Sequence, residues 1–250
     1  MKNLDPALAR FTPISLAEMD NVALQSRMDT KYLVAFRDLP GLLEALSVEY
    51  RMLEVNGERG IRYRTLYFDT PGRRAYFDHH NGRSRRCKVR MREYVGSGAC
   101  FLEVKRRTGR GGTVKRRILV PAIAETLTEG QQAFVAGACD LGPHLVPTLW
   151  NEFRRYTLVH TERIERITLD VGLSFRDEDG EAALEGICVA ELKEGRTGHG
   201  SPFAALMRAL PAPPTSFSKY CVGTVLLQPS IKYNQFKPIL LHARRLGRAA

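Results

Sequence analysis

The chain has 250 residues, and its 38 Lys and Arg against 27 Asp and Glu leave a net charge of +11. A hydrophobic fraction of 44% excludes general disorder, and no stretch approaches the roughly 18 apolar residues of a membrane-spanning helix. The first ten residues lack an apolar signal segment, so a cytoplasmic protein is expected. A positive field attracts nucleic acid, acidic lipid or a phosphorylated small ligand, and charge alone does not choose among them.

The predicted elements alternate between strands and a few helices. Eight runs are rich in β-branched or aromatic residues and are bounded by Gly, Asp or Pro, as strands are. In chain order they span residues 27–36, 60–68, 83–94, 100–107, 113–120, 149–160, 163–173 and 187–193. Helices are expected at residues 39–47, 125–136, 202–210 and 218–227. Residues 1–228 therefore form one domain, and the basic residues 229–250 are interpreted as a surface or docking tail.

The five cysteines form no Cys-x-x-Cys pair, and no Cys/His cluster has the spacing of a zinc site. Their number is odd, which argues against a complete disulfide framework. We expect reduced and mostly buried thiols. The cysteines are Cys87, Cys100, Cys139, Cys188 and Cys221.

Charged residues recur at every second position of the predicted strands. Since successive side chains of a strand point to opposite faces, Lys88, Arg90 and Arg92 share one face and Val89 and Met91 the other. Five more runs repeat this design. Their charged faces carry Arg27, Asp29 and Lys31; Glu103 and Lys105; Lys115 and Arg117; Arg166, Thr168 and Asp170; and Glu191 and Lys193.

For a single strand, a polar face in water is the common explanation of such a pattern. Here the faces are mainly basic, whereas a solvated surface usually mixes both signs. An open basic sheet could lie on a nucleic-acid backbone, or a barrel could enclose the charges beneath outer helices. Few aromatic residues stand among the charges for base stacking, and the opposite faces are apolar enough to need a cover. We therefore predict an α+β protein, an antiparallel barrel of about eight strands with helices packed outside.

Eight short motifs lie along residues 27–227, and their order and spacing together are more specific than any one of them. The first half contains Arg27–Tyr32, Tyr67–Thr70, Lys88–Tyr94 and Glu103–Lys105; the second contains Phe153–Thr157, Arg166–Asp170, Glu191–Lys193 and Phe217–Tyr220. This series resembles the triphosphate tunnel enzymes. Within them it is similar to the VTC domain, the polyphosphate polymerase domain of the vacuolar transporter chaperone complex, in its stand-alone bacterial form.

The resemblance implies a basic tunnel for phosphate and a metal ligand at Glu191 for Mn²⁺ or Mg²⁺. The residues implied to act on phosphate are Lys31, Arg90, Arg92, Lys105, Lys115, Arg155, Arg166, Lys193 and Lys219, and Lys88 shares their face. One arginine after residue 80 should also bind phosphate; Arg83, Arg85 and Arg86 compete, with Arg83 and Arg86 carried as candidates. Of the adjacent Arg154 and Arg155, the motif register favours Arg155.

One strand departs from the hydrolytic tunnel enzymes. These begin with a Glu-x-Glu-x-Lys strand, whereas this chain has Arg27-x-Asp29-x-Lys31. The loss of one carboxylate favours the polymerase branch. Asp29 is then either a second metal ligand or an internal partner of Arg27.

The resulting hypothesis is metal-dependent transfer of the γ-phosphate of ATP to polyphosphate. Phosphoryl transfer needs positioning and charge neutralisation more than covalent help, and neither a P-loop nor a kinase glycine-rich loop is present. Two alternatives stay open, a triphosphatase or polyphosphate hydrolase of the same fold and a non-catalytic polyphosphate or nucleic-acid binding module. The expected partners are a nucleoside triphosphate and polyphosphate, and no nucleic acid. The histidines are expected to be loop and surface residues, and Trp150 to lie in the core.

Overall fold

A computed structural model describes residues 4–20, 27–109, 112–195, 200–210 and 212–248. The strands are β1 (Pro13–Ile14), β2 (Arg27–Ala35), β3 (Tyr50–Leu53), β4 (Ile61–Asp69), β5 (Arg86–Tyr94), β6 (Ala99–Arg107), β7 (Thr113–Val120), β8 (Val146–His160), β9 (Glu165–Arg176) and β10 (Glu181–Gly195). The helices are α1 (Asp5–Leu8), α2 (Leu16–Asp20), α3 (Leu39–Leu46), α4 (Arg74–His80), α5 (Glu129–Ala136), α6 (Pro202–Ala209), α7 (Lys219–Leu227) and α8 (Lys237–Arg248).

All ten strands belong to one sheet. The main ladder runs in the order β2-β10-β9-β8-β4-β5-β6-β7, and every pair along it is antiparallel. Strand β3 pairs with one end of β8, and the short β1 lies parallel to β3. The eight predicted strands correspond to the eight of the main ladder, while β1 and β3 escaped prediction because they are short.

The sheet curls strongly. Strands β2 and β5 are five ladder positions apart, which would separate them by roughly 24 Å in a flat sheet. Yet Lys31 Nζ of β2 donates to the Phe217 carbonyl oxygen at 3.2 Å, and Lys88 Nζ of β5 donates to Ser218 Oγ at 2.8 Å. The adjacent residues Phe217 and Ser218 thus contact β2 and β5 respectively. The inner faces of these two strands therefore lie opposite each other.

The ladder is curled without being closed. In the described ranges, β2 and β7 end the ladder and do not pair with each other. A bulge between β8 and β9 adds local twist where the register shifts between Glu152 and Arg154. Gly172 lies opposite this shift with φ 61°, a conformation that strains other residues. The predicted barrel is confirmed in its antiparallel strands and outer helices, and it is approximate in its closure.

Helices cover the outer apolar faces, as predicted. Ile167 and Leu169 of β9 lie in one buried cluster with residues of α1, α3 and α6. Val89 of β5 and Leu102 of β6 lie in another with Val135 of α5. Helix α5 begins with a reciprocal capping box between Thr128 and Gln131, which fixes its start. Burial of these faces leaves the charged faces directed inward.

Helix α7 fills the apolar half of the inner face. It is buried on nearly all sides and packs against β8, β9 and β10. Helix α8 lies beside β10 and β2, with Ile239, Leu240 and Ala243 buried. Of the residues 229–250 interpreted as a tail, residues 237–248 thus form an amphipathic helix that packs on the sheet.

A candidate polyanion site in the lumen

The lumen is the space between the charged inner faces of the curled sheet and the start of α7. Asp69, fully buried at the end of β4, accepts hydrogen bonds from the Ala75 and Tyr76 amides at 2.8 and 3.0 Å. It also accepts one from the Tyr220 hydroxyl at 2.6 Å. Asp69 therefore ties α4 and α7 to the sheet. Ser218 caps α7 by accepting from the Cys221 amide at 3.2 Å.

Asp170 is a buried counter-charge at the centre of the β8–β9 wall. Arg155 Nε and Nη2 donate to its two carboxylate oxygens at 2.6 and 2.7 Å, a bidentate pair. Lys219, the first residue of α7, donates to the same carboxylate. Burial opposes ionisation of Asp170, but Arg155 and Lys219 outweigh it and hold its pKa well below the usual range.

Glu103 is likewise a buried counter-charge, on the wall formed by β5, β6 and β7. Its side chain is 1% exposed and contacts Arg90 Nη2 at 2.7 Å, while Lys115 of β7 reaches the other oxygen. Burial opposes its ionisation, but Arg90, Arg92 and Lys115 keep the pKa of Glu103 well below normal. Neither Glu103 nor Asp170 was among the predicted site residues. The sequence signal was present, because each shares a strand face with predicted cations.

Glu191 is the third carboxylate, on β10. It pairs with Lys193 two residues along the strand and lies 3.7 Å from Lys31 Nζ of β2. Burial opposes its ionisation, yet Lys193 and Lys31 hold the pKa of Glu191 well below its usual value. Asp29 is exposed and is the cross-strand partner of Lys193, so it lies beside the pair of Lys31 and Glu191. The side chain of Arg27, its predicted partner, lies outside the described residues.

Cations exceed these counter-charges. Burial lowers the pKa of Lys88, Lys193 and Lys219 to about 8 in each case, and that of Arg92 to about 10. It also lowers the pKa of Lys105, on which Lys31 of the opposite wall acts as well. Crowded like charges repel one another, and an anion among them would relieve this repulsion.

An aromatic pair lies beneath three of the cations. The rings of Tyr63 and Phe153 stack with centroids 5.1 Å apart. The Arg92 and Arg155 guanidinium carbons lie 5.2–5.6 Å from these ring centroids, and Lys219 Nζ lies 4.5 Å from that of Phe153. Cation–π attraction stabilises the partly desolvated charges. Tyr63 of β4 and Phe153 of β8 lie outside the six charged runs that the sequence analysis compares, so this pair was not predicted.

The other predicted residues separate by strand face. Arg154 is exposed on one face of β8, while Arg155 lies on the other face and pairs with the buried Asp170. Arg166 is half-buried on β9 beside Lys193, on the face of Asp170. Arg86 begins β5 on the face of Lys88. Arg83 lies exposed in the preceding loop, where its carbonyl oxygen accepts from the Arg86 guanidinium at 2.8 Å. Arg85 is exposed there as well.

Glu191 is also the residue implied to bind a metal. In the part of the chain that the structure describes, no three His, Cys, Asp or Glu side chains gather into a metal-binding group. Opposite Glu191 on β9, however, Thr168 Oγ1 is buried without a hydrogen-bond partner. One carboxylate with a nearby hydroxyl fits Mg²⁺ or Mn²⁺ bound mainly through water and phosphate oxygens.

The comparisons with known proteins bear on this lumen. The family model described as the VTC domain matches residues 26–228. The chain belongs to the VTC domain family. The match spans the main ladder and ends just after α7. This VTC domain has no match among curated proteins.

Solved structures support the fold. A protein from Hippeastrum, for which a dominant triphosphatase activity is described, is 15% identical with a TM-score of 0.50, covering 82% of this VTC domain chain and 96% of the other. A candidate adenylate cyclase from Vibrio parahaemolyticus is 15% identical with a TM-score of 0.47, covering 80% and 99%. The former likeness shows the triphosphate tunnel fold. None of the helices in the described ranges is long and apolar enough to span a membrane.

Proposed function

We propose that this VTC domain transfers the γ-phosphate of ATP to the end of a polyphosphate chain held in the lumen. The observation that carries this proposal is the excess of buried Lys and Arg that face one another across the curled sheet. A triphosphate carries about four negative charges at neutral pH, so several cations must hold it. The cytoplasm, where ATP is abundant, is the compartment that suits this substrate.

The arginines and lysines of the lumen would contact phosphate in different ways. Arg90 and Arg155 are fixed by carboxylates and present rigid guanidinium groups for bidentate contacts with phosphate oxygens. Lys31, Lys88 and Lys105 converge from opposite walls and act as point charges. These contacts would align the terminal phosphate of the chain with the γ-phosphate and neutralise the charge that develops in transfer.

Glu191, with Thr168 beside it, would hold Mn²⁺ or Mg²⁺. When bound, such an ion neutralises charge on the phosphate oxygens. Glu191 also pairs with Lys193 and Lys31, and these pairs neutralise part of the positive charge of the lumen.

Incubation with ATP and Mn²⁺, followed by separation of products by chain length, tests this function. We expect polyphosphate from the wild type and none from Glu191→Gln. Release of single phosphates from tripolyphosphate, without chain products, would show a hydrolase. Binding of polyphosphate without turnover would show a binding module.

Two adjacent arginines offer a matched test of the lumen itself. Arg155→Gln removes an inward guanidinium, whereas Arg154→Gln removes an exposed one on the other face of β8. We expect polyphosphate binding to weaken at least tenfold in Arg155→Gln, because a charge-assisted hydrogen-bond pair contributes roughly 1.5–3 kcal/mol or more. Arg154→Gln should bind like the wild type. Equal losses in both variants would place the ligand outside the lumen.

Hydrolysis of triphosphate is the second candidate, and one residue favours it. Asp29 is the cross-strand partner of Lys193 and lies two residues from Lys31, the partner of Glu191. A second carboxylate there could help to hold another cation, as in the two-metal sites of phosphatases. If Asp29→Asn removes phosphate release from tripolyphosphate but leaves chain synthesis intact, both reactions occur in this lumen.

A further inference from the structure

Four aromatic residues of the inner face form one stripe beside the lumen cations. Phe153 of β8, Tyr63 of β4, Tyr94 of β5 and Phe101 of β6 follow one another across adjacent strands. Their ring centroids are 5.1, 4.8 and 5.9 Å apart in that order. The first two rings lie beneath cations of the lumen, as described above. Tyr94 and Phe101 have no role in the proposed transfer of phosphate.

The aromatic stripe is buried at one end and accessible at the other. Phe153 and Tyr63 are buried, whereas Tyr94 and Phe101 are half-buried beside the exposed turn that joins β5 to β6. Leu119 of β7 is the cross-strand partner of Phe101, so it lies on the same face, and it is 71% exposed. An apolar surface next to the lumen is therefore open to a ligand at this end.

Arg117 of β7 lies over this open end. Its guanidinium carbon is 4.6 Å from the centroid of the Phe101 ring. Glu103, the cross-strand partner of Arg117, already pairs with Arg90 and Lys115. Aromatic rings and guanidinium planes are the two surfaces on which proteins stack nucleobases. Phe101 and Arg117 bring both of them to one place.

Strand β6 sets the distance between this place and the phosphate-binding cations. Phe101, Glu103 and Lys105 alternate along one face of β6, so the Cα atoms of Phe101 and Lys105 lie roughly 13 Å apart. Arg92 is the cross-strand partner of Phe101, and Arg90 is that of Glu103. Base and γ-phosphate are the opposite ends of an extended nucleoside triphosphate. Such a molecule, laid along β6, places its base at Phe101 and its phosphates on the cations beyond it.

We propose that Tyr94, Phe101, Arg117 and Leu119 form a nucleobase platform for the donor nucleotide, where β5 turns into β6. The inference rests on the proposed function in assuming a nucleoside triphosphate as phosphate donor. The base stacks against Phe101 and Arg117, and Leu119 covers its edge. Stacking depends on the π surface of the base and not on its hydrogen-bonding groups, so the platform accepts any base and favours the larger purines.

The ring geometry fits a single base. The planes of Tyr94 and Phe101 are 82° apart, so Tyr94 supports the edge of Phe101 and does not offer a second parallel surface. A single-stranded nucleic acid instead stacks successive bases on successive rings. The platform therefore distinguishes a nucleotide from inorganic tripolyphosphate, which has phosphates alone.

Calorimetric titration of the full chain with ATP and with tripolyphosphate tests the platform, in the presence of a chelator that prevents turnover. Tripolyphosphate contacts the cations alone, whereas ATP contacts the cations and the platform. We expect Phe101→Leu, which lacks the flat ring, to weaken ATP binding about tenfold and tripolyphosphate binding by no more than about twofold. Phe101→Tyr, which keeps the ring, should bind both ligands like the wild type. CTP should bind the wild type more weakly than ATP, and this difference should shrink in Phe101→Leu.

Two exposed residues of β7 supply variants that leave the core intact. Leu119→Ala should weaken ATP binding and leave tripolyphosphate binding unchanged. Val114→Ala is the matched control, because Val114 is 41% exposed on the other face of the same strand. It should bind both ligands like the wild type. Substitutions at exposed positions of this kind change stability little, so both variants should fold even if Phe101→Leu does not.

Equal losses of affinity for ATP and tripolyphosphate in Phe101→Leu and Leu119→Ala, or no loss for either ligand, would overturn the platform. A single-stranded oligonucleotide that binds more tightly than ATP, and does so through Phe101, would also overturn it. Failure of the proposed function looks different, because Arg155→Gln then binds polyphosphate as tightly as the wild type. Failure of the platform alone leaves the effect of Arg155→Gln intact.

Discussion

Buried carboxylates in the lumen balance cations that would otherwise repel one another. Asp170 is 3% exposed and accepts from both Arg155 and Lys219. Its removal therefore leaves two cations uncompensated in a desolvated place. Breaking a buried pair in this way is far more costly than loss of a surface pair.

We predict that Asp170→Asn lowers the free energy of unfolding by about 3–5 kcal/mol. Tripolyphosphate should restore part of this loss, because its oxygens replace the missing carboxylate as partners of Arg155 and Lys219. Urea unfolding with and without the ligand measures both effects. Glu152→Gln is the matched control. Its side chain is 48% exposed, 3.9 Å from Arg62, and should change stability by no more than about 0.5 kcal/mol. An unchanged stability of Asp170→Asn would contradict the role of counter-charge.

The sequence carries much of this residue-scale arrangement. Strand alternation alone separates Arg155 from Arg154 and places Lys88, Arg90 and Arg92 on one face. It does not tell which carboxylate pairs with which cation. The pairs of Glu103 with Lys115 and of Asp170 with Lys219 depend on strand register and on where α7 enters. His79 was expected to be a loop or surface residue, whereas it lies half-buried in the last turn of α4.

At the scale of elements, α7 determines the depth of the lumen. Its N-terminal residues contact both walls, and its body occupies the apolar half of the inner face. Gly223 allows this close approach. A Cβ atom at Gly223 would lie 2.8 Å from Leu149 Cδ2 and would overlap the ring of Phe175. There is therefore no room for a side chain at position 223, where α7 packs against β8 and β9.

We expect Gly223→Ala to destabilise the protein by about 1–3 kcal/mol, as overpacking of a filled core does. It should also weaken polyphosphate binding, because displacement of α7 moves Ser218 and Lys219. Gly130→Ala in α5 is the control, since nothing lies within 4 Å of the added methyl group. Alanine favours a helix over glycine, so this control should be neutral or up to about 1 kcal/mol more stable. In thermal unfolding, Gly223→Ala should have a lower Tm than the wild type, and Gly130→Ala an equal or higher one. Equal changes of Tm in the two variants would contradict the packing argument.

Elements with a long, clear pattern were predicted well, and short or mixed ones were not. Strand β7 agrees at both ends, and α3 and α6 agree to within one residue. Helix α8 was missed because five basic residues after position 229 outweighed its apolar stripe. Helix α4 was missed because its start depends on Asp69, a residue of the preceding strand whose carboxylate caps it.

For the whole molecule, a rise in pH should increase the folding stability of the free protein and decrease its affinity for a polyanion. Lys88, Lys193 and Lys219 have pKa values of about 8 in the folded protein, below the ordinary lysine value. Between pH 8 and about 10 the unfolded chain therefore binds more protons than the folded one, and stability from these groups rises with pH. Affinity for a polyanion falls across the same range, because the folded lumen loses positive charge.

We predict at least a tenfold loss of tripolyphosphate affinity from pH 7.5 to 9.5, by analogy with the strength of charge-assisted contacts. Over the same pH interval, these lysines should not lower the free energy of unfolding of the free protein. Titration of binding and urea unfolding at the two pH values measure both trends. Lys219→Arg, which stays charged, should show a shallower loss of affinity. A flat affinity profile in the wild type would mean that these amines do not contact the anion.

The unpaired ends of the ladder have a mechanical consequence. A barrel closed by hydrogen bonds has a fixed circumference, set by strand number and stagger. In the described ranges no ladder bond joins β2 to β7, so strand number and stagger do not fix the distance between the β5–β7 wall and β2. Under the proposed function, such a lumen would adjust its width around the bound chain, so that one cavity would accommodate products of many lengths.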